Sequence, residues 1–256
     1  MIYVKKIQIP TLPTQKPRRL YVCVPKDYRR SERRYPVLYM FDGHNVFYDS
    51  HATYGKSWGM KEYLEKTGLP LILVAVECNT EGNRRINEYT PWDINGRFGH
   101  FKAQGRETME WFTKALKPEI DCTYRTLPDR AHTMIAGSSM GGLMTLYAAV
   151  AYNDVFSMGA ALSPCLWVSR KGMKELIQAH PLATPTRIYM DLGSAEVDGQ
   201  REAFAQMFDT AKWLSLAGAD VAARVVPDAV HNEAAWEKRI PVFFDFLLHD
   251  ETGGEK

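Results

Sequence analysis

The stretch IAGSSMGGLMTL, from Ile135 to Leu146, constrains this chain more than any other. An apolar run ends in a glycine, two serines follow, and a helical apolar pattern begins just beyond. Gly137-Ser138-Ser139-Met140-Gly141 fits G-x-S-x-G, the pattern of a strand that turns sharply into a helix with its central residue exposed and strained. Small residues two positions either side of that residue let strand and helix approach closely. Ser139 has Gly137 and Gly141 there, whereas Ser138 would have Ala136 and the bulky Met140. Ser139 is therefore the candidate nucleophile. The plainer reading of the same residues is a serine capping a helix.

The surrounding pattern sets the fold class. Leu20–Val24, Val37–Phe41, Leu69–Val76, Thr133–Ala136, Ser157–Leu162, Arg187–Leu192 and Ala222–Val226 read as strands. Gly105–Cys122, Leu143–Ala151, Lys171–Ala179, Arg201–Ala217 and Ile240–Leu248 read as helices, the first from the recurrence of Met109, Phe112, Leu116 and Ile120. The alternation predicts an α/β protein with a mostly parallel central sheet and helices on both faces. Leu20–Val24 and Val37–Phe41 are expected to form an antiparallel edge pair. The 256 residues are expected to form one domain, 1–256. In such a sheet, ligands bind beyond the carboxyl ends of the strands.

A serine hydroxyl needs a base to take its proton, and in this arrangement the chain order is serine, acid, histidine. His180, His231 and His249 lie downstream of Ser139. His231 follows the last strand and precedes the closing helix, so it is the candidate base. The acid belongs in IYMDLGSAEVDG, which offers Asp191, Glu196 and Asp198. Asp191 falls inside the strand; Glu196 lies where the chain has left the sheet and is favoured over Asp198. The oxyanion hole needs the backbone N–H after the nucleophile, Met140, and a second from the loop after an early strand. Asp42-Gly43-His44-Asn45 follows Val37–Phe41 and nominates the His44 N–H.

Other classes find less support. The formal net charge is +2 with both signs mixed, which argues against a nucleic-acid surface. No run of about 20 apolar residues or secretory signal pattern occurs, so no membrane span and a cytoplasmic location are expected. Cys23, Cys78, Cys122 and Cys165 sit in or beside apolar stretches and read as buried thiols. Asp42, His44, Asp49 and His51 match no metal-ligand motif, and the glycines after Ala136 lack a P-loop ending. Neither a metal nor a cofactor is expected. Oligomeric state is left open, a homo-oligomer included.

YPVLYMFDGHNVF, GSSMGGLMTLYAA, ALSPCLW and HNEAAW together resemble the esterase D, feruloyl esterase and enterochelin esterase-like branch of the α/β hydrolases. The resemblance covers roughly residues 18–248. It implies the α/β-hydrolase fold, Ser139 as nucleophile, His231 as base, and an oxyanion hole from the His44 and Met140 amides. A Gly-x-x-Asp/Glu pattern matches Gly193 to Glu196. The short stretch between Leu162 and Arg187 leaves no room for a large cap. The long Cys78–Gln104 segment carries aromatics, and Tyr89 and Trp92 are expected to wall a substrate pocket with Trp167. Arg84 and Arg85 in that segment read as surface charge. The implied function is a serine carboxylic-ester hydrolase acting through an acyl-enzyme on a small or aromatic acyl ester, acetyl- or feruloyl-esterase-like. A siderophore or lactone esterase and an acyltransferase would use the same residues. A non-catalytic binding protein on this scaffold is the alternative from another class.

Overall fold

The computed structural model describes residues 1–14, 16–96, 99–196 and 200–248. In chain order the strands are β1 (Ile2–Ile7), β2 (Arg18–Cys23), β3 (Val37–Met40), β4 (Ile72–Val76), β5 (Ile94–Gly96), β6 (Gly99–Phe101), β7 (Thr133–Ser138), β8 (Met158–Leu162), β9 (Arg187–Gly193) and β10 (Asp220–Val226). The helices are α1 (Met60–Thr67), α2 (Arg84–Glu88), α3 (Gly105–Trp111), α4 (Lys117–Thr123), α5 (Met140–Ala151), α6 (Arg170–Ala179), α7 (Gln200–Leu216), α8 (Glu233–Glu237) and α9 (Ile240–Leu248). The single helix expected over Gly105–Cys122 is α3 and α4 joined through a π-helical turn at Phe112–Leu116.

Among the described residues, eight strands form one sheet in the order β1-β2-β4-β3-β7-β8-β9-β10, and β5 pairs with β6 in a separate hairpin. From β4 to β10 every pairing is parallel; β1 and β2 run antiparallel at one edge. The expected pairing of the Leu20–Val24 and Val37–Phe41 strands does not form, because β4 lies between them. Every residue of Val37–Met40 is buried, as a strand covered on both faces requires, and β3 takes β4 and β7 as parallel neighbours. The true edge partner, β1, was missed: IYVKKI is largely exposed and its lysines mark an edge strand.

The period of two along β3 splits the core. Val37 and Tyr39 pack with Phe112, Leu143 and Met207 on one face; Leu38 and Met40 pack with Leu64, Ile240 and Phe243 on the other. Helices α3 to α7 thus cover one side, and α1, α8 and α9 the second. The β8–β9 connection holds α6 and no cap domain. No described helix is long and apolar enough to cross a membrane.

Candidate active site

The parallel strands all deliver their carboxyl ends to one side of the molecule, and the candidate residues collect there. Ser139 follows the last residue of β7 with φ 59° and ψ −121°, a conformation few side chains adopt. Two close approaches explain its glycines. A Cβ on Gly137 would lie 2.7 Å from the Gly141 carbonyl oxygen, and one on Gly141 would lie 3.1 Å from Phe41 Cβ and 3.2 Å from Asp42 Oδ2. The elbow therefore touches the turn after β3, where Asp42-Gly43-His44 lies. Neither the His44 nor the Met140 backbone N–H has a hydrogen-bond partner among the described residues. Ser138 is buried in β7, while Ser139 is only partly buried.

Glu196 and His231 meet across the next strands. Glu196 follows β9 and His231 follows β10, and Nδ1 of His231 lies 3.0 Å from Glu196 Oε2. A carboxylate only accepts, so Nδ1 carries the proton and Nε2 is left as the basic nitrogen. The Glu196 side chain has no exposed surface, whereas that of His231 is 36% exposed. Oε1 of Glu196 accepts from the Gly193 N–H at 2.7 Å, the Ser163 hydroxyl at 2.6 Å and Arg239 Nη2 at 3.1 Å. Burial alone would raise its pKa; the hydrogen bonds from His231, Ser163 and Gly193 outweigh burial and hold the carboxyl below its ordinary range.

Ser163, Arg239 and Trp236 are the parts that sequence reasoning missed. Ser163 Oγ accepts from Trp236 Nε1 at 2.9 Å and Arg239 Nη1 at 3.0 Å, so its own proton goes to Glu196. Arg239 also reaches Asp191 Oδ1 at 2.7 Å, and Tyr189 Oη donates to Asp191 Oδ2 at 2.8 Å. Asp191 is thus consumed in a buried structural contact. Asp198, the other candidate acid, and His249 lie outside the described residues. Trp236 stacks edge-on against the His231 ring, centroids 5.0 Å apart.

The candidate nucleophile and base are not hydrogen-bonded to each other. The hydrogen-bond partner of Ser139 Oγ is Cys165 Sγ, at 3.4 Å, and not His231. Catalytic contacts of this kind are often long without substrate and tighten on binding. Cys165 itself is half-buried and Cys122 exposed, against the expectation of four buried thiols; all four are free.

Cys165 and His231 also line a cleft of about 700 Å³. Ile94, Leu166, Trp167, Val168, Leu192 and Met207 form its apolar walls, and Asp93 and Glu202 are its acidic lining beyond Glu196. Trp167 lines the cleft, but Tyr89 and Trp92 do not. Tyr89 is 2% exposed; its ring packs on Phe41 and its hydroxyl accepts from the Asp42 N–H at 3.1 Å. Trp92 packs against Tyr147 and over Gly172. The Asp93–Gly96 segment takes their place as the wall. Phe98, in the same loop, lies outside the described residues.

Arg85 corrects another expectation. Arg84 is exposed and bonds Thr14, but Arg85 is partly buried and grips both carboxylate oxygens of Asp42 at 2.7 Å. Asp42, His44 and Cys78 each place a ligand-type atom within 4.8 Å of the others. The Arg85 guanidinium already occupies both Asp42 oxygens, which disfavours a metal cation there. Asp49 and His51 are engaged elsewhere, with Ser57 and Tyr21.

The family described as “Putative esterase” matches residues 13–247. This chain belongs to that family. The esterase is 25% identical over 184 residues to the uncharacterized protein YbbA of Bacillus subtilis, covering 70% of this chain and 69% of that one. It is 29% identical over 142 residues to Esterase Rv1288 of Mycobacterium tuberculosis, covering 56% of this chain and 28% of that protein. Among solved structures, an IroE-like serine hydrolase from Shewanella oneidensis superposes with a TM-score of 0.76 at 18% identity, over 96% of this chain and 79% of that one. The fold is that of the α/β hydrolases, and the chemistry of the class is ester hydrolysis. The esterase's four strand ends thus place a strained serine, a histidine held by a buried carboxylate, two unengaged N–H groups and an apolar cleft on one side of one sheet.

Proposed function

We propose that the esterase is a serine carboxylic-ester hydrolase that works through an acyl-enzyme on Ser139. The observation that carries this reading is the Glu196–His231 pair. A carboxylate with no exposed surface, held by three other donors, fixes the imidazole tautomer with Nε2 free. His231 Nε2 takes the Ser139 proton as Oγ attacks the ester carbonyl. The His44 and Met140 N–H groups receive the oxyanion. His231 then hands the proton to the departing alcohol, and a water activated the same way releases the acid. The residues themselves carry every step of this route. The apolar cleft with Trp167 suits a small or aromatic acyl group, and its acidic lining suits a substrate without a nearby negative charge.

Initial rates on nitrophenyl esters of increasing acyl length, with methyl ferulate, test the reading. Ser139→Ala is expected to lose at least about a thousandfold in kcat/KM, and a fluorophosphonate to label the parent protein only. Equal rates in both proteins would remove Ser139 from the mechanism. No labelling and no turnover on any ester would favour a scaffold that binds without reacting.

A further inference from the structure

Arg85 touches both the turn and the elbow that carry the two proposed oxyanion donors. Its Nε and Nη2 hold Asp42 Oδ1 and Oδ2 at 2.7 Å each, and Nη2 also reaches the Ser138 carbonyl at 3.3 Å. Each proposed donor lies two residues beyond one of these contacts: His44 beyond Asp42, and Met140 beyond Ser138. We propose that Arg85 is a positioning residue, whose fork sets the spacing between the His44 and Met140 N–H groups and so tunes the site for the transition-state oxyanion. This rests on the serine-esterase reading above.

The turn it holds does not hold itself. Asp42 sits at φ 54° and ψ 46°, left-handed backbone that a non-glycine residue adopts only under constraint. The constraints are visible. The Asp42 N–H donates to Tyr89 Oη at 3.1 Å, and its carbonyl accepts from Asn45 N–H at 2.7 Å. Behind the turn, a Cβ on Gly43 would lie 2.8 Å from the Ala75 backbone, so the turn is seated on β4. These contacts fix it from its own side. Among the described residues, the polar side-chain link across to the elbow is Arg85, braced over the Tyr89 ring at 5.3 Å. Its charge also keeps the Asp42 carboxyl below the ordinary range against the opposing effect of burial. A planar guanidinium meets two oxygens in fixed geometry; a lysine ammonium supplies charge without that fork.

The test compares Arg85→Lys, Arg85→Gln and Asp42→Asn with the parent protein. Three quantities are read: kcat/KM on nitrophenyl butyrate, the Ki of a propyl trifluoromethyl ketone, and the Ki of the matching methyl ketone. In the trifluoromethyl adduct Ser139 Oγ bonds the ketone carbon, the hydroxyl proton passes to His231, and the oxygen becomes an oxyanion. The methyl ketone reports ground-state binding. Arg85→Lys is expected to lower kcat/KM by about 10- to 100-fold, no more than the about 10²- to 10³-fold that outright loss of one donor costs. The trifluoromethyl ketone Ki should rise by the same factor, while the methyl ketone Ki stays within about twofold. Circular dichroism and thermal melting establish that each variant is folded; if Arg85→Gln is not, Arg85→Lys and Asp42→Asn carry the comparison. A folded Arg85→Lys with an unchanged trifluoromethyl ketone Ki overturns the proposal. So does a parallel rise in both inhibitors, which would make Arg85 a shaper of the pocket. Turnover that survives Ser139→Ala fails the underlying reading instead, and is scored separately.

Discussion

Two arginines tie loops to this sheet, and they do so differently. Arg239 lies on the acid side, 3% exposed, bridging two carboxylates that have no exposed surface at all. Arg85 lies on the oxyanion side, 29% exposed, and serves one carboxylate and one carbonyl. Arg239 lies in the two-residue turn between α8 and α9 and is buried. Arg85 arrives on α2, within the long excursion between β4 and α3. Glu196 is thus built into the core, whereas the Asp42–Asn45 turn is clamped by a side chain from outside it. Substitutions on the two sides should fail differently: stability first on one, transition-state binding first on the other.

The largest expected effect is on the acid side. Arg239→Leu leaves Asp191 and Glu196 buried without their cation, and loss of about 3–5 kcal/mol in urea unfolding is expected. Arg85→Gln should cost clearly less stability in the same experiment. Equal losses would erase the distinction. Ser163→Ala should rank next, because it leaves the buried Trp236 N–H unpaired and takes one donor from Glu196. A cost of about 1–3 kcal/mol is expected, together with a fall in kcat. Unchanged kcat in a folded Ser163→Ala would mean that the other donors suffice to hold Glu196.

The smallest effect is a difference of sign with pH. Burial opposes ionisation of Asp42, but Arg85 wins, and its folded-state pKa lies below the ordinary value. Its contribution is present above the ordinary carboxyl range, about pH 4, and is lost as pH falls through the folded value. Asp191 is the reverse: burial outweighs Arg239 and raises it, so its contribution is present at low pH and lost as pH rises through the folded value. Urea midpoints between pH 7 and 3.5 should therefore fall less steeply on acidification for Asp42→Asn than for the parent, and more steeply for Asp191→Asn. Identical slopes in all three proteins would contradict both assignments.

What was legible in the sequence follows the range of the interactions. The Ser139 elbow is local, since Gly137 and Gly141 lie within two residues of it. The meeting of Glu196 and His231 was legible from chain order, because adjacent parallel strands deliver successive loops to one edge. Ser163, Arg239 and Arg85 were not legible: each acts on a residue more than 30 positions away, at a distance no periodicity encodes. Tyr89 and Trp92 misled for a related reason. An aromatic in a long loop signals burial, but the sequence does not say whether substrate or body buries it. The edge strand Ile2–Ile7 escaped because it presents no continuous apolar run, and helix α1 because it buries just Met60 and Leu64, too few to set a helical period.

The brevity of the β8–β9 connection bears on what size of molecule this enzyme accepts. Between those strands lie α6 and the Leu166–Val168 turn, which walls the cleft, and the described chain places no helical cap over it. On the proposed reading, the protein gauges the acid and is indifferent to the bulk of the alcohol. A methyl group, a sugar chain and an insoluble polymer would then present it with the same bond, and the rate should be governed by how that bond reaches the serine.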